Sequence, residues 1–139
     1  MPEASPRLIP ELLVSDIAVS LPFYVDALGF TILYERPEEC FAHLDREGAR
    51  IMLEQPVGRT LLAGPLQHPY GLGMNLQIQV SDVDTLYATV QASSALVILP
   101  IEESWYRRDA MLLGNHQFVV QDPDGYLLRF FEDLGTRPA

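Results

Sequence analysis

The sequence contains little of what several functional classes require. Cysteine occurs once, as Cys40, so no disulfide can form within the chain, and the neighbouring Glu38 and Glu39 disfavour the thiolate that a reactive cysteine needs. We therefore interpret Cys40 as a structural thiol. The chain also lacks a Gly-rich phosphate loop, a GxSxG nucleophile motif and a Cys–His arrangement. Nothing here indicates nucleotide binding or covalent catalysis.

Long apolar runs are also absent. No stretch approaches the roughly 18–20 uninterrupted apolar residues that a membrane-spanning helix needs. Residues 1–10 lack the basic and apolar regions of a secretory signal. We therefore expect a cytoplasmic protein that does not enter a membrane.

Basic residues are scarce. Nine Lys and Arg residues stand against 19 Asp and Glu residues, which gives a net charge of −10. This charge repels nucleic acid and anionic membranes and attracts cations. We expect neither nucleic acid nor membrane as a partner, whereas a positively charged small molecule would be attracted. On charge alone, the interpretation that the acidity only maintains solubility is preferred to a cationic ligand.

The chain contains an internal repeat. The tripeptide VSD at residues 14–16 recurs at residues 80–82, about half the chain length further on. In both places it follows an apolar stretch with strand character and precedes a helical pattern, where Ser or Asp can cap the helix. With 139 residues, of which 48% are hydrophobic, the chain is predicted to form one globular domain built from two similar modules.

Periodicity predicts a βαβββ order in each half. In the first half, an apolar helical stripe runs from Ile17 to Leu28 and stops at Gly29. In the second, a helix runs from Val83 to about Ser93. The predicted strands after the first helix are 30–34, 40–44 and 50–54; those of the second half are 74–80, 96–101, 117–120 and 126–131. The fold class is therefore α+β, a single domain 1–139 with module one at about 7–55, a connection at 56–73 and module two at about 74–132.

The segment between Ile101 and His116 has no counterpart in the first half. It is charged and aromatic, with Trp105 and Tyr106 at its centre. Long loops in compact domains are usually functional or disordered, and the aromatic residues argue against disorder. We predict a long functional loop.

Several short motifs together resemble a known family. These are FY at 23–24, LGF at 28–30, VSDVD at 80–84 and QDPDG at 121–125, in addition to the first VSD. In this order they resemble the glyoxalase/bleomycin-resistance/dioxygenase superfamily, also called the vicinal oxygen chelate superfamily. The resemblance spans nearly the whole chain and implies two βαβββ modules that curve into an incomplete barrel around a ligand groove. The acidic charge and absent signal look most like the bleomycin-resistance branch.

The resemblance also allows a test for the family's metal site. Metal-binding members carry ligands ahead of each VSD motif and on the fourth and eighth strands. The matching positions here are Ile9, Asn75, Glu54 and Arg129. Isoleucine has no lone pair to give, the Asn amide is a poor ligand and Arg129 repels a cation, so Glu54 alone could coordinate. We therefore expect no metal and no cofactor.

Glu54 and Arg129 occupy equivalent strands of the two modules. We expect them to form an ion pair where the metal would have been, the alternative being that each side chain points to solvent. Of the histidines, His116 is kept as a pocket residue or a solvent-facing residue.

Residues that lie an even number of positions from the family's ligand positions along the same strand share their face of the sheet. These residues are expected to line the groove. Flat aromatic rings with nearby charge would suit a cationic, planar ligand. For Trp105 the alternative is an anchor that holds its own loop. The candidate ligand-binding residues are Phe41, Met52, Glu54, Asn75, Gln77, Trp105, Tyr106, Arg107, His116, Phe118 and Arg129.

Three functions fit these observations. The favoured one is a non-enzymatic homodimer that sequesters an amphipathic small molecule, such as a cationic bleomycin-like antibiotic, in a groove of the dimer without a metal and without catalytic residues. The second is a divergent lyase, isomerase or dioxygenase that uses Glu54. The third is an interaction module without a small ligand, which leaves the polar groove unexplained.

Overall fold

Each half of the chain folds into one helical segment and one four-stranded sheet. The computed structural model describes residues 5–139, and the chain divides into two units, Met1–His68 and Pro69–Ala139. The strand orders are β1-β4-β3-β2 in the first unit and β5-β8-β7-β6 in the second, so the two topologies are the same. The predicted α+β fold of two βαβββ modules is confirmed.

The first unit contains seven elements. They are β1 Glu11–Leu13, helix α1 Ile17–Pro22, a π-helical segment Phe23–Ala27, β2 Thr31–Arg36, a 3₁₀ turn Pro37–Glu39, β3 Phe41–Arg46 and β4 Ala49–Glu54. Strand β1 runs parallel to β4, and β3 is antiparallel to both of its neighbours. The β3–β4 hairpin turns at Glu47 and Gly48, whose φ angles of 50° and 92° are those of a tight type I′ turn.

The second unit repeats this order with longer strands. Its elements are β5 Asn75–Gln79, α2 Val83–Ala92, β6 Leu96–Arg108, β7 Met111–Gln121 and β8 Leu127–Pro138. Before β8, Asp122 Oδ1 accepts hydrogen bonds from the amides of Asp124 and Tyr126, at 2.9 and 2.8 Å. Gly125 adopts a φ of 106°, which explains why the DPDG turn requires glycine there.

Both helices begin at an Asp of the repeated VSD motif, as predicted. Asp16 Oδ1 accepts from the Ala18 amide at 3.0 Å, and Asp82 Oδ1 accepts from the Thr85 amide at 3.1 Å. In each unit a second side chain caps the first helical amide, and it comes from the unit's last strand or from the residue after that strand. The Ile17 amide donates to Gln55 Oε1 at 3.0 Å, and the Val83 amide donates to Glu132 Oε1 at 3.1 Å. The helix start is thereby tied to the sheet in both units.

The first helix is not α-helical throughout, contrary to the prediction. It is α-helical to Pro22 and then π-helical, with the Leu28 amide donating to the Phe23 carbonyl at 3.2 Å. Pro22 has no N–H to donate and its ring crowds the preceding turn, conditions under which a helix changes pitch. Gly29 ends the helix at a φ of 77°, as the sequence predicted. Within residues 5–139 no helix is long and apolar enough to span a bilayer.

The predicted long loop between Ile101 and His116 is wrong. Strands β6 and β7 continue through this segment as an antiparallel hairpin that pairs as far as Arg108 with Met111. The turn is made by Asp109 and Ala110, with Asp109 at a φ of 54°. The hairpin has half-exposed residues on both faces, so it lacks the alternation of buried and polar residues that identifies a strand in a sequence.

One face of each sheet forms the core with its own helix. Leu12, Ile51 and Leu53 are buried in the first unit. In the second, Phe118 packs with Tyr87 of α2 and with Phe130, at ring-centroid distances of 5.0 and 5.6 Å. We call the opposite face of each sheet its distal face. The side chains of the distal faces are largely polar and charged, and they provide the candidate site.

Candidate functional site

Strand alternation places three predicted groove residues on the distal face of the first unit. Along β4, Ile51 and Leu53 are buried toward the helix, whereas Met52 and Glu54 are half-buried on the other side. Register then adds Phe41, which pairs with Glu54, and His43, which pairs with Met52. Phe41, Met52 and Glu54 therefore share one face.

An aromatic and cationic cluster lies beside them. The guanidinium of Arg36 stands 3.9 Å from the centroid of the Phe41 ring, and the Tyr34 and Phe41 ring centroids are 6.0 Å apart. Arg36 Nε also donates to Glu39 Oε2 at 2.7 Å, which holds the guanidinium over the ring. Phe41 is buried, so little of its ring is accessible to a ligand.

His43 is a buried polar residue of this face that the sequence analysis left out of the site. Its Nδ1 is 2.9 Å from the Tyr34 hydroxyl, while its Nε2 has no hydrogen-bond partner among residues 5–139. Burial, followed by the positive charge of Arg50, lowers the pKa of His43 and so favours the neutral form of the ring. An unpaired ring nitrogen of this kind can bind a polar ligand atom. The signal that could have found it is its parity with Phe41 on β3.

Glu54 shares its environment with a second acid, Glu11. Glu11 lies on β1 next to β4, where it pairs with Met52. A hydrogen bond with the Glu11 carboxyl, then burial and the Glu11 charge, raise the pKa of Glu54. The two carboxyls form an acidic pair that can share a proton or accept a cation.

The distal face of the second unit has a hydrogen-bonded cluster around Arg129. Its Nε donates to Gln117 Oε1 at 3.0 Å, and Gln117 Nε2 donates to the Tyr106 hydroxyl at 2.6 Å. The guanidinium lies 5.2 Å from the centroid of the Tyr106 ring. A hydrogen bond with Ser104, with smaller contributions from Gln117 and Arg129, lowers the pKa of Tyr106. Tyr106 and Arg129 were predicted site residues, whereas Gln117, which joins them, was not.

Two amides extend this cluster along β5. Gln77 pairs with Arg129 in the parallel ladder, and Asn75 pairs with Leu127. Both are exposed, whereas Ile78 is buried toward the helix. Gln77, Arg129, Gln117 and Tyr106 thus provide amide, guanidinium and phenol groups on one surface.

The other four predicted residues lie elsewhere on the β6–β7 hairpin. The Trp105 ring covers Gly114, and the Arg137 guanidinium lies 3.9 Å from its centroid, an anchoring arrangement that corresponds to the alternative interpretation of Trp105. His116 Nε2 is 3.9 Å from Asp84 Oδ1 on α2. Phe118 lies in the helix-side core and Arg107 is exposed near the hairpin tip. These side chains do not join the cluster of Arg129.

The residues at the family's ligand positions do not fit a divalent metal. Arg129 brings a permanent positive charge, and its Nε is already bonded to Gln117. Within residues 5–139, no three His, Cys, Asp or Glu side chains converge as ligands would. The pairing of Glu54 with Arg129 stays a prediction.

The family model described as the glyoxalase/bleomycin resistance protein/dioxygenase superfamily matches residues 10–130. A bleomycin resistance protein of Geobacillus stearothermophilus is 28% identical over 135 residues, which cover 91% of this chain and 96% of that protein.

Solved structures agree on the fold. TioX from Micromonospora sp. ML1 superposes with a TM-score of 0.73 at 22% identity, covering 94% of this chain and all of that one. A protein of unknown function from Agrobacterium tumefaciens str. C58 gives a TM-score of 0.66 at 29% identity, with 96% and 95% of the two chains covered.

Proposed function

Since the chain belongs to the glyoxalase/bleomycin resistance protein/dioxygenase superfamily, we propose that it is a metal-independent binding protein that sequesters an amphipathic, cationic antibiotic of the bleomycin type. The similarity to bleomycin resistance proteins along 91% of the chain supports this choice within the family. We further propose that the ligand binds in a groove formed when two copies of the chain associate.

One observation carries the proposal. The distal faces carry aromatic rings and polar groups that can hold a ligand, whereas the residues at the family's metal-ligand positions do not fit a divalent metal. The acidic pair of Glu11 and Glu54 supplies negative charge for a cationic group. Tyr106 supplies an aromatic ring, and the hydrogen-bonded chain of Tyr106, Gln117 and Arg129 supplies several polar groups.

The first experiment titrates metal-free bleomycin into the protein by calorimetry and compares two double variants. Glu11→Gln/Glu54→Gln removes the acidic pair, and Glu38→Gln/Asp109→Asn removes the same total charge from exposed positions outside the site. Because a hydrogen bond to a charged group contributes about 1.5–3 kcal/mol, we expect the first variant to bind at least about ten-fold more weakly. The second should bind like the unaltered protein. Equal losses in both variants would reduce the effect to net charge, and no binding at all would overturn the proposal.

Tyr106→Phe tests the second unit. It keeps the ring and removes the hydroxyl that accepts from Gln117. We expect binding to weaken by a few-fold, because the Gln117 amide loses its partner, whereas Tyr87→Phe on α2 should have no effect on affinity.

A second candidate function, lyase, isomerase or dioxygenase chemistry, is favoured by one feature, the raised pKa of Glu54, because perturbed carboxyls often serve as acids or bases. The two functions differ in the fate of the ligand. Sequestration returns the bound molecule unchanged in mass and quantity, whereas catalysis changes it. Metal analysis of protein purified without chelators adds a second test, since a stoichiometric ion would favour the enzyme.

A further inference from the structure

A separate recess lies on the helix side of the first unit. It has a volume of about 390 Å³ and opens between helix α1, the π-helical segment, strand β2 and the start of β3. This volume is within the range of small-molecule sites. Of the residues that line the recess, Phe41 is the one that also belongs to the distal face, and the others lie on the helix side or in the turn before β3. The recess is therefore largely separate from the site of the proposed function.

The floor of the recess is an apolar stripe of the first helix. Ile17, Leu21 and Val25 follow one another at a spacing of one helical turn and all line the recess. Tyr24 and Leu28 of the same apolar stripe are buried in the core. Leu21 and Val25 are only half-buried, however, and Ile32 of β2 forms the opposite wall at 40% exposure. Apolar surface is therefore available to a ligand here.

The rim of the recess is acidic. Asp26 of the π-helical segment and Glu35 of β2 both line it, and no Arg, Lys or His side chain does. Register places Glu35 on the helix side, because it pairs with Ala42, whereas its neighbour Arg36 pairs with Phe41 on the distal face. Among residues 5–139, neither Asp26 nor Glu35 forms an ion pair. Their charges are thus available in a chain of net charge −10.

We propose that this recess binds small amphipathic cations of the alkylammonium type. The ammonium group lies between the carboxylates of Asp26 and Glu35, and the alkyl chain covers Leu21, Val25 and Ile32. Charge complementarity selects the cation, and burial of the chain provides most of the affinity. An alkyl carboxylate of equal length would meet two like charges at the rim.

Cys40 provides a direct measurement because it lines the recess and is the only cysteine of the chain. The rate at which neutral N-ethylmaleimide modifies Cys40 is recorded at increasing concentrations of n-octylammonium or of octanoate. We expect octylammonium to slow the reaction in a saturable way and octanoate to leave the rate unchanged. With about 0.8 kcal/mol per buried methylene, hexylammonium should require roughly ten-fold higher concentration. Equal protection by octanoate would overturn the proposal.

Variants then locate the site. Asp26→Asn/Glu35→Gln should weaken octylammonium binding by about five-fold, since each exposed charge contributes modestly. Glu38→Gln/Asp109→Asn, with the same loss of charge, should not. Leu21→Trp fills the recess and should abolish binding, and Val25→Phe serves the same purpose if Leu21→Trp does not fold. Retained binding in a folded, filled variant, or an equal loss in the control, contradicts the proposal.

The remaining competitor for the recess is a second copy of the chain. In that case Cys40 becomes less reactive as protein concentration rises without any ligand, and sedimentation shows association that Leu21→Trp abolishes. This result would overturn the proposal. Bleomycin affinity should be the same in Asp26→Asn/Glu35→Gln as in the unaltered protein, so failure here and failure of the proposed function are distinguishable.

Discussion

In a regular strand, alternation decides which side chains share a distal face. Met52 lies two residues before Glu54 on β4 and therefore shares its face. In the same way, the residues two positions before and after Arg129 share its face of β8. Phe118 and Gln117 are adjacent on β7, so their side chains lie on opposite faces of the sheet. The β6–β7 ladder shifts register at Val97–Leu99 and Leu99–Glu102, and β7 shifts against β8 at Gly114–Asn115. Such bulges exchange the two faces of a strand and leave no mark in the sequence. Phe118 was selected for its aromatic ring, and its neighbour Gln117, whose side chain lies on the distal face, was missed.

Glu54 leads to a prediction about stability and pH. Its pKa in the folded protein is raised above the ordinary value of 4.5, so the folded state retains this proton to higher pH than the unfolded chain does. The contribution of Glu54 is therefore fully present below the ordinary carboxyl pKa and is lost as pH rises through the raised value. We expect Glu54→Gln to reduce this loss of stability at higher pH, so that the variant has a higher Tm than the unaltered protein near pH 7. Thermal melts between pH 4 and 8 check this, with Glu38→Gln as the control. A higher Tm for Glu38→Gln as well would attribute the effect to net charge.

Phe118 leads to a second prediction at this scale. Its side chain is fully buried against Tyr87 and Phe130. Truncation to alanine should cost about 3–5 kcal/mol of the free energy of unfolding, measured by urea denaturation. The milder Phe118→Leu variant should lower stability and leave bleomycin affinity unchanged. A selective loss of affinity with unchanged stability would return Phe118 to the ligand site.

At the scale of elements, the repeat identified most of the fold. Two VSD motifs placed both helix starts, and Gly29 placed the end of the first helix. The π-helical segment was not predicted, because the apolar stripe continues through Pro22 and only the hydrogen-bond spacing changes. The β6–β7 hairpin was not predicted either. Its turn at Asp109 and Ala110 contains neither Gly nor Asn, and its residues are half-exposed on both faces.

The hairpin depends on close contact between Trp105 and Gly114. A Cβ atom at position 114 would lie 2.6 Å from the indole ring, too close for any side chain. Gly114→Ala should therefore displace Trp105 and destabilise the protein by about 1–3 kcal/mol. Because Trp105 is the only tryptophan, its fluorescence should shift to longer wavelength before global unfolding. Gly58→Ala is the matched control, since nothing lies within 4 Å of a Cβ added there. An unchanged emission spectrum in Gly114→Ala would show that Trp105 is not held by this contact.

At the scale of the whole molecule, the proposed homodimer can be tested at an edge strand. Strand β2 ends its sheet in the observed order, and Ile32, Leu33 and Tyr34 are 40, 44 and 47% exposed. A long apolar edge of this kind favours pairing with another chain. Leu33 lies at a register shift and has no partner on β3, so an arginine there should not disturb the sheet.

We expect Leu33→Arg to shift the protein toward monomer in sedimentation experiments at micromolar concentration, since a charge would have to be buried on association. Leu61→Arg, at a residue that is 77% exposed in the connection, should leave the oligomeric state unchanged. Equal mass for both variants and the unaltered chain would place any dimer contact away from β2.

The double cap of each helix gives the two units separate reporters. The Ile17 amide donates to the uncharged side chain of Gln55, and the Val83 amide donates to the carboxylate of Glu132. Each acceptor belongs to the same unit as the helix that it caps. Hydrogen exchange at these two amides would therefore report the opening of one unit without contribution from the other. Added salt should accelerate exchange more at Val83 than at Ile17, because only the Val83 amide donates directly to a charged side chain. The two halves share one strand order, and this experiment would show whether they differ in their sensitivity to ionic surroundings.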